Sequence, residues 1–173
     1  MNPHTLHYAK TPTPLGKHLW IAQSAQGVCW IDFRISEAVF LARLTRRWPR
    51  ANFVKSANAL QKPIAELNEY FAGRRKKFTF KLAPEGTAFQ QKVWQAVREI
   101  PFGQVTTYQE IARKIEKPKA VRAVGHANGS NPLTIVIPCH RLIGSNGSLC
   151  GYGGGIELKM KLLELEGAEW EKR

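Results

Sequence analysis

The spacing of apolar residues changes period once along this chain, at LAPEG (82–86), and that change constrains the fold more than any other feature. Before it, apolar residues come in short β-rich runs, LWIAQ (19–23) and VCWIDF (28–33), separated by SAQG, which together read as a hairpin. Ser36 can cap a helix over 37–47 with Phe40, Leu41 and Leu44 on one side. A second helix is predicted to start near Pro63, bury Ile64, Leu67 and Phe71, and stop at Gly73. Basic RRKK (74–77) then leads into FTFK (78–81), a predicted strand. After LAPEG the texture is helical. Thr87 precedes FQQKVWQAVREI, where Phe89, Val93, Ala96, Val97 and Ile100 recur at helical spacing until PFG (101–103) ends the run. The pattern predicts an α+β chain of two units, a small α/β domain over 1–85 and a mostly α-helical domain over 86–173.

Both units are basic. The chain carries a formal charge of +13, of which +9 falls before residue 86 and +4 after it, so the excess is not a detachable tail. A polyanion such as nucleic acid is the natural partner, although a solvated basic surface would explain the charge equally well. With 43% hydrophobic residues, five Trp and eight Phe, the chain should fold as a globule. No apolar run approaches the ~20 residues that cross a membrane. The start, MNPHTLHYAK, lacks the apolar core of a signal peptide, so a cytosolic protein is expected. Cys29, Cys139 and Cys150 include no CxxC pair, and an odd count argues against a disulfide framework. Cys139, His140 and Cys150 do not have a recognised zinc spacing.

Two stretches of the second unit carry the chemistry. In the first, Thr107 and Glu110 form a T-x-x-E capping box that starts a short helix through Ile115, and Pro118 can open another over KAVRAVGHAN. Two short helices joined by a tight turn make a candidate helix-turn-helix. The second helix offers Ala120, Ala123, Gly125 and Ala127, with Arg122 its one long donor. A helix reading base edges in the major groove usually exposes Asn, Gln, Arg or Lys. Small residues instead suit close approach to a minor groove only ~6 Å wide. Packing against another helix, with Arg122 on a phosphate, explains the same residues.

The second stretch is LTIVIPCHR (133–141), an apolar run that delivers Cys139 at its end behind Pro138. Adjacent residues of an extended segment point apart, so His140 would reach Cys139 directly or through a water. A His-activated cysteine is a strong nucleophile because the thiolate is the reactive species. A packed cysteine beside a surface histidine is the plain alternative. Glycine-dense NGSLCGYGGG (146–155), with Tyr152 its only large residue, allows close approach to a ligand and can act as a lid. An amphipathic helix with Leu158, Leu162, Leu163 and Leu165 follows and ends at Gly167. Glu166 lies on its last turn, where the helix dipole disfavours an anion, so a cationic or hydrogen-bonding partner is expected, with His140 a candidate.

Together, PCHR, GYGGG and KxxLLxxEG, preceded by YQEIA, RAVG and NGSNP, resemble the O6-alkylguanine-DNA alkyltransferases. The specific part of the likeness runs from about Phe89 to Gly167. The resemblance implies a ribonuclease H-like first domain and direct transfer of an alkyl group from O6-alkylguanine to the protein, with O4-alkylthymine left open. Cys139 would be the acceptor, and His140, working through a water and oriented by Glu166, would remove its proton. Asn131 resembles the residue bracing the turn between recognition helix and active-site segment. Tyr108 would donate toward the departing guanine and crowd the 3′ phosphate. Arg122 resembles the finger that replaces a flipped nucleotide, with Ala123 and Gly125 against the DNA. The Cys139 and Leu142 carbonyls would accept from the exocyclic amine, the Gly153 amide would donate to O6, and Tyr152 would wall the pocket. Double-stranded DNA, held at its minor groove, is the implied partner of a monomer, with cooperative binding along DNA left open. No cofactor and no metal are implied.

His126 stands where many relatives have a small residue, and Gly153 replaces a serine found in some. Zinc ligands and an extra regulatory domain known in other members are not evident, so a stand-alone protein is expected. A helix-turn-helix regulator is the main alternative and predicts base-reading side chains on the second helix. A non-catalytic lesion binder would lack the acceptor cysteine. A Cys-His hydrolase would turn over esters or peptides and leaves the charge unexplained.

Overall fold

The computed structural model describes residues 5–16, 18–33 and 35–170, which fall into two compact units, 1–84 and 85–173. No described helix is long and apolar enough to cross a membrane.

The first unit is a four-stranded sheet with helices on its faces. Strand β1 (Thr5–Pro12) runs antiparallel to β2 (His18–Ser24), which pairs with β3 (Gly27–Phe33) as the expected hairpin. Helix α1 (Glu37–Arg47) then carries the chain over, and β4 (Asn52–Lys55) pairs parallel to β1, giving the order β3-β2-β1-β4. Strands β1 and β4 were not anticipated. THYAKTP-like polarity in β1 and a four-residue edge in β4 give neither alternation nor a long apolar run for a sequence reader to find. Ser36 caps α1 through the Val39 amide, as expected, and Phe40 and Leu44 are fully buried against Leu6, Tyr8, Trp20, Ala22 and Cys29.

Helix α2 (Gln61–Phe71) follows a 3₁₀ turn at Asn58–Leu60 and starts two residues before Pro63. Its Phe71 meets Phe33 edge to face with ring centroids 6.4 Å apart. Ile64 is only half-buried, whereas Glu66 is buried. Glu66 explains why FTFK is not the predicted strand. Its carboxylate accepts from both the amide (2.7 Å) and the hydroxyl of Thr79, so that backbone does not enter a ladder. Only Leu82 bridges to Val28. A Cβ on Gly27 would lie 2.5 Å from the Lys81 carbonyl oxygen, so this crossing requires glycine.

The second unit is helical around two short parallel strands. Helix α3 (Ala88–Arg98) has a complete Thr87/Gln90 capping box and buries Val93, Trp94, Ala96 and Val97. Trp94 donates to the Ala127 carbonyl of α5 (Val121–Gly129) at 2.7 Å. Strand β5 (Thr106–Thr107) runs directly into α4 (Tyr108–Lys114), which carries the expected Thr107/Glu110 capping box. A tight turn with Glu116 at φ 59° joins α4 to α5. Helix α5 starts at Val121 and not at Pro118. The Pro118 carbonyl is taken by the Gln109 side chain, and residues 118–119 form a turn. Strand β6 (Leu142–Ile143) pairs with β5, Thr106 to Leu142 and Thr107 to Ile143, which sets the start of α4 beside the segment after Cys139. Helix α6 (Ile156–Leu165) closes the unit and buries Leu158, Lys159, Leu162 and Leu163.

Candidate active site

The run before Cys139 is buried but not extended. Ile135 lies at φ 77°, Thr134 bridges Ile137, and the Cys139 amide donates to the Ile137 carbonyl at 2.7 Å. Cys139 opens a single 3₁₀ turn, Cys139–Arg141, so it and His140 are not on opposite faces of a strand as expected. Asn131 makes this turn possible. Its amide donates to the Ile137 carbonyl at 2.8 Å while its oxygen accepts from the Leu133 amide at 2.9 Å, satisfying a buried loop that has no ladder of its own.

Cys139 is buried, with its sulfur 3.8 Å from the Tyr152 hydroxyl. Burial pushes its thiol up, and hydrogen bonds from Asn131 and Tyr152 and the charge of Lys159 offset this only in part. The resting group is therefore a thiol that needs a base.

That base is built next to it. His140 is fully buried, and its Nε2 lies 2.9 Å from Glu166 Oε1. Burial lowers its pKa, the Glu166 charge opposes this, and Arg141 and Lys159 lower it further, so the ring is neutral near pH 7. With Nε2–H turned to Glu166, Nδ1 carries the lone pair, and Nδ1 has no hydrogen-bond partner among the described residues. Glu166, the residue just past α6, is also gripped by Arg141, Nε to Oε2 at 2.7 Å and Nη2 to Oε1 at 2.8 Å. Burial alone would raise the Glu166 pKa. Hydrogen bonds and charge from His140 and Arg141 reverse this and hold the carboxyl well below the usual range. Arg141 Nη1 donates to the Ile100 carbonyl at 2.6 Å.

Lys159 and Asn128 belong to the same site and were not anticipated. Lys159 has no exposed surface and donates to the carbonyls of Leu142 and Leu149. Burial lowers its pKa to about 8, against the opposing charges of Cys150 and Cys139. Asn128, inward on α5, donates to the Cys139 carbonyl at 3.3 Å. Lys159 reads as an exposed helix lysine because its neighbours Glu157 and Lys161 are charged, and Asn128 is hidden in an Ala/Gly-rich helix. Only the K of KxxLLxxEG could have pointed to the lysine.

Two sequence families cover nearly the whole chain. The ribonuclease-like domain of 6-O-methylguanine DNA methyltransferases matches residues 6–84, and their DNA binding domain matches residues 88–168. The chain belongs to the 6-O-methylguanine DNA methyltransferase family. It is 42% identical to a methylated-DNA–protein-cysteine methyltransferase of Methanosarcina acetivorans over 163 residues, covering 94% of this chain and 99% of the relative. A protein of the same name from Haemophilus influenzae is 43% identical over 93% of this chain and 86% of its own length. The crystal structure of Mycobacterium tuberculosis OGT in complex with DNA superposes with a TM-score of 0.81 at 40% identity, over 93% and 92% of the two chains.

Within this methyltransferase fold the remaining expected residues separate into two groups. Tyr108, first residue of α4, is half-buried and shares a hydrogen bond with the Asn128 side chain. Leu142 is fully buried, Tyr152 half-buried and Gly153 exposed in the loop before α6. Arg122, Ala123 and His126 are exposed on α5 and Gly125 is half-buried, so these four are not joined to the buried cluster by any described side-chain bond.

Proposed function

We propose that the protein repairs alkylated DNA by moving an alkyl group, methyl in the simplest case, from O6 of guanine onto Sγ of Cys139. The observation that carries this reading is the buried series of Cys139, His140, Glu166 and Arg141, in which the histidine is fixed as a neutral base with Nδ1 left to act. A bond forms from sulfur to the alkyl carbon as the carbon–oxygen bond breaks, and its electron pair leaves with the guanine ring. The thiol proton departs through a water to His140, and Glu166 stabilises the imidazolium that forms. Tyr108 donates toward the ring as negative charge develops, the Gly153 amide donates to O6, the Cys139 and Leu142 carbonyls accept from the exocyclic amine, and Tyr152 forms a wall.

The alkylated oxygen lies inside the duplex, so the base must be turned out before a thiol can reach it. Exposed Arg122, Ala123 and Gly125 on α5 suit a helix lying close in the minor groove, with Arg122 filling the space of the displaced nucleotide. The protein acts on DNA as a stand-alone monomer in the cytoplasm.

Water cleaves the acyl intermediates of cysteine hydrolases but not a thioether, and nothing in the site offers a second nucleophile to remove the alkyl group. Each molecule therefore reacts once. Intact mass before and after mixing with a duplex containing O6-methylguanine should show one added methyl, carried on the peptide containing Cys139. Cys139→Ser should bind the duplex and acquire none. More than one lesion repaired per molecule, or the methyl on Cys29 or Cys150, would defeat the proposal.

A further inference from the structure

We infer that Asn128 is a positioning residue of the transfer, tying the phenol of Tyr108 to the peptide of Cys139 so that the Tyr108 hydroxyl is aimed at the departing base. This rests on the reading of Cys139 as acceptor and Tyr108 as donor given above.

Asn128 is the one polar side chain among the buried residues of α5, which are otherwise Val124 and Ala127. It is 7% exposed. Its amide nitrogen has two N–H groups, and the surroundings supply two acceptors. One is the Cys139 carbonyl at 3.3 Å, and the other is the oxygen of Tyr108, whose ionised form the Asn128 bond favours. Reversing the amide would set Oδ1 against the Cys139 carbonyl oxygen, so the nitrogen must face this way. Oδ1 is consequently buried with no hydrogen-bond partner among the described residues.

An unpaired buried acceptor is a standing cost that an apolar residue of similar shape would avoid. An amide held there in spite of that cost has work for its N–H groups. A phenol that accepts from Asn128 keeps its own O–H for another acceptor. As the sulfur–carbon bond forms and the carbon–oxygen bond breaks, the electron pair passes into the guanine ring. Tyr108 gives a proton toward that ring, and the Asn128 N–H steadies the charge left on the phenol oxygen. Solvent restores the Tyr108 proton, and the Cys139 thiol proton leaves through His140. The sum is thiol plus O6-alkylguanine giving thioether plus guanine. Anchoring the same amide on the Cys139 carbonyl fixes donor and nucleophile to one another across the turn of the chain.

The test is a double-substitution cycle on the full chain, with protein in excess over an O6-methylguanine duplex and the first-order transfer rate as readout. Asn128→Leu should slow transfer by about tenfold, the loss of one such hydrogen bond in the transition state. In a Tyr108→Phe background the same substitution should slow it by less than about twofold, since no phenol remains to position. The thermal midpoint of Asn128→Leu should hold or rise, because the unpaired oxygen is gone. Asn128→Ala supplies the cycle if the leucine variant does not fold. Equal slowing in both backgrounds overturns the inference, as does a normal rate in Asn128→Leu. A wild-type protein that fails to place methyl on Cys139 defeats the functional reading instead, which the mass measurement reports separately.

Discussion

Glu166 occupies a position where a carboxylate should be unwelcome. It follows the last turn of α6, and an anion at a helix carboxyl end costs about 0.3–1 kcal/mol. Two partners outweigh that cost, the bidentate Arg141 guanidinium and the His140 ring. Arg141 itself is 6% exposed, so removing the carboxylate charge would strand a buried cation, a loss of about 3–5 kcal/mol for a broken buried pair. Glu166→Gln should therefore lower the unfolding free energy by an amount of that order, read in urea titrations. It should also weaken His140 as a base, so iodoacetamide labelling of Cys139 should shift to higher pH. An unshifted labelling curve in a folded variant would reduce Glu166 to a structural role. The same pair sets the acid limit of the wild type. Glu166 titrates lower folded than unfolded, so its contribution is complete above the unfolded value of about 4.3 and is lost as pH falls through the folded one. His140 also titrates lower when folded, and below the unfolded value of about 6.5 the unfolded chain takes up a proton that the folded one resists. Both effects have one sign, and the thermal midpoint should fall between pH 7 and pH 4.

Helix α5 joins the two faces of the problem, with Asn128 turned inward to Cys139 and Arg122 exposed on the other side. If Arg122 stabilises a base turned out of the stack, Arg122→Ala should slow repair in duplex DNA far more than reaction with free O6-benzylguanine, which has no stack to leave. Equal losses on the two substrates would remove the finger role and leave an arginine that only meets a phosphate. The helices themselves were legible because their ends are written in local chemistry. Ser36, Thr87 and Thr107 each cap the helix they were expected to cap, and α1 ends where its apolar face ends. What was not legible depends on partners distant in sequence. Strand β4 exists by pairing with β1 more than forty residues earlier, as in Thr5 opposite Asn52. FTFK lost its strand to Glu66, whose burial no periodicity reveals. In the site, Cys139, His140 and Glu166 were found because reactive residue types stand out in motifs. Arg141 as the second holder of Glu166, Lys159 under the Leu142 and Leu149 carbonyls, and Asn128 could not be found, because each owes its place to burial that only the assembled unit supplies.

The whole chain carries 26 basic residues against 13 acidic, and the excess is present in both units. Some of the charge is spent internally. Arg141 and Lys159 are buried, Arg43 pairs with Asp32, Lys55 with Glu37, and Lys114 with Glu99. Arg122, Lys117 and Lys119 remain exposed on or just before α5. A helix whose outer face offers Ala123 and Gly125 has little with which to read bases, so affinity must come mainly from phosphates, and it must respond to salt. If about five phosphates are neutralised, a fourfold rise in salt should weaken binding by roughly several hundredfold. Unrelated undamaged sequences should bind alike, because the contacts that hold the duplex carry no sequence information. Equilibrium titrations of undamaged duplexes at several salt concentrations measure both quantities. A shallow salt slope with strong preference for one sequence would mean that α5 reads the major groove as a regulator does, and the buried thiol would then need another explanation. A steep slope without sequence preference fits a protein that surveys DNA by charge and leaves discrimination to the pocket around Cys139, where only a displaced base can enter.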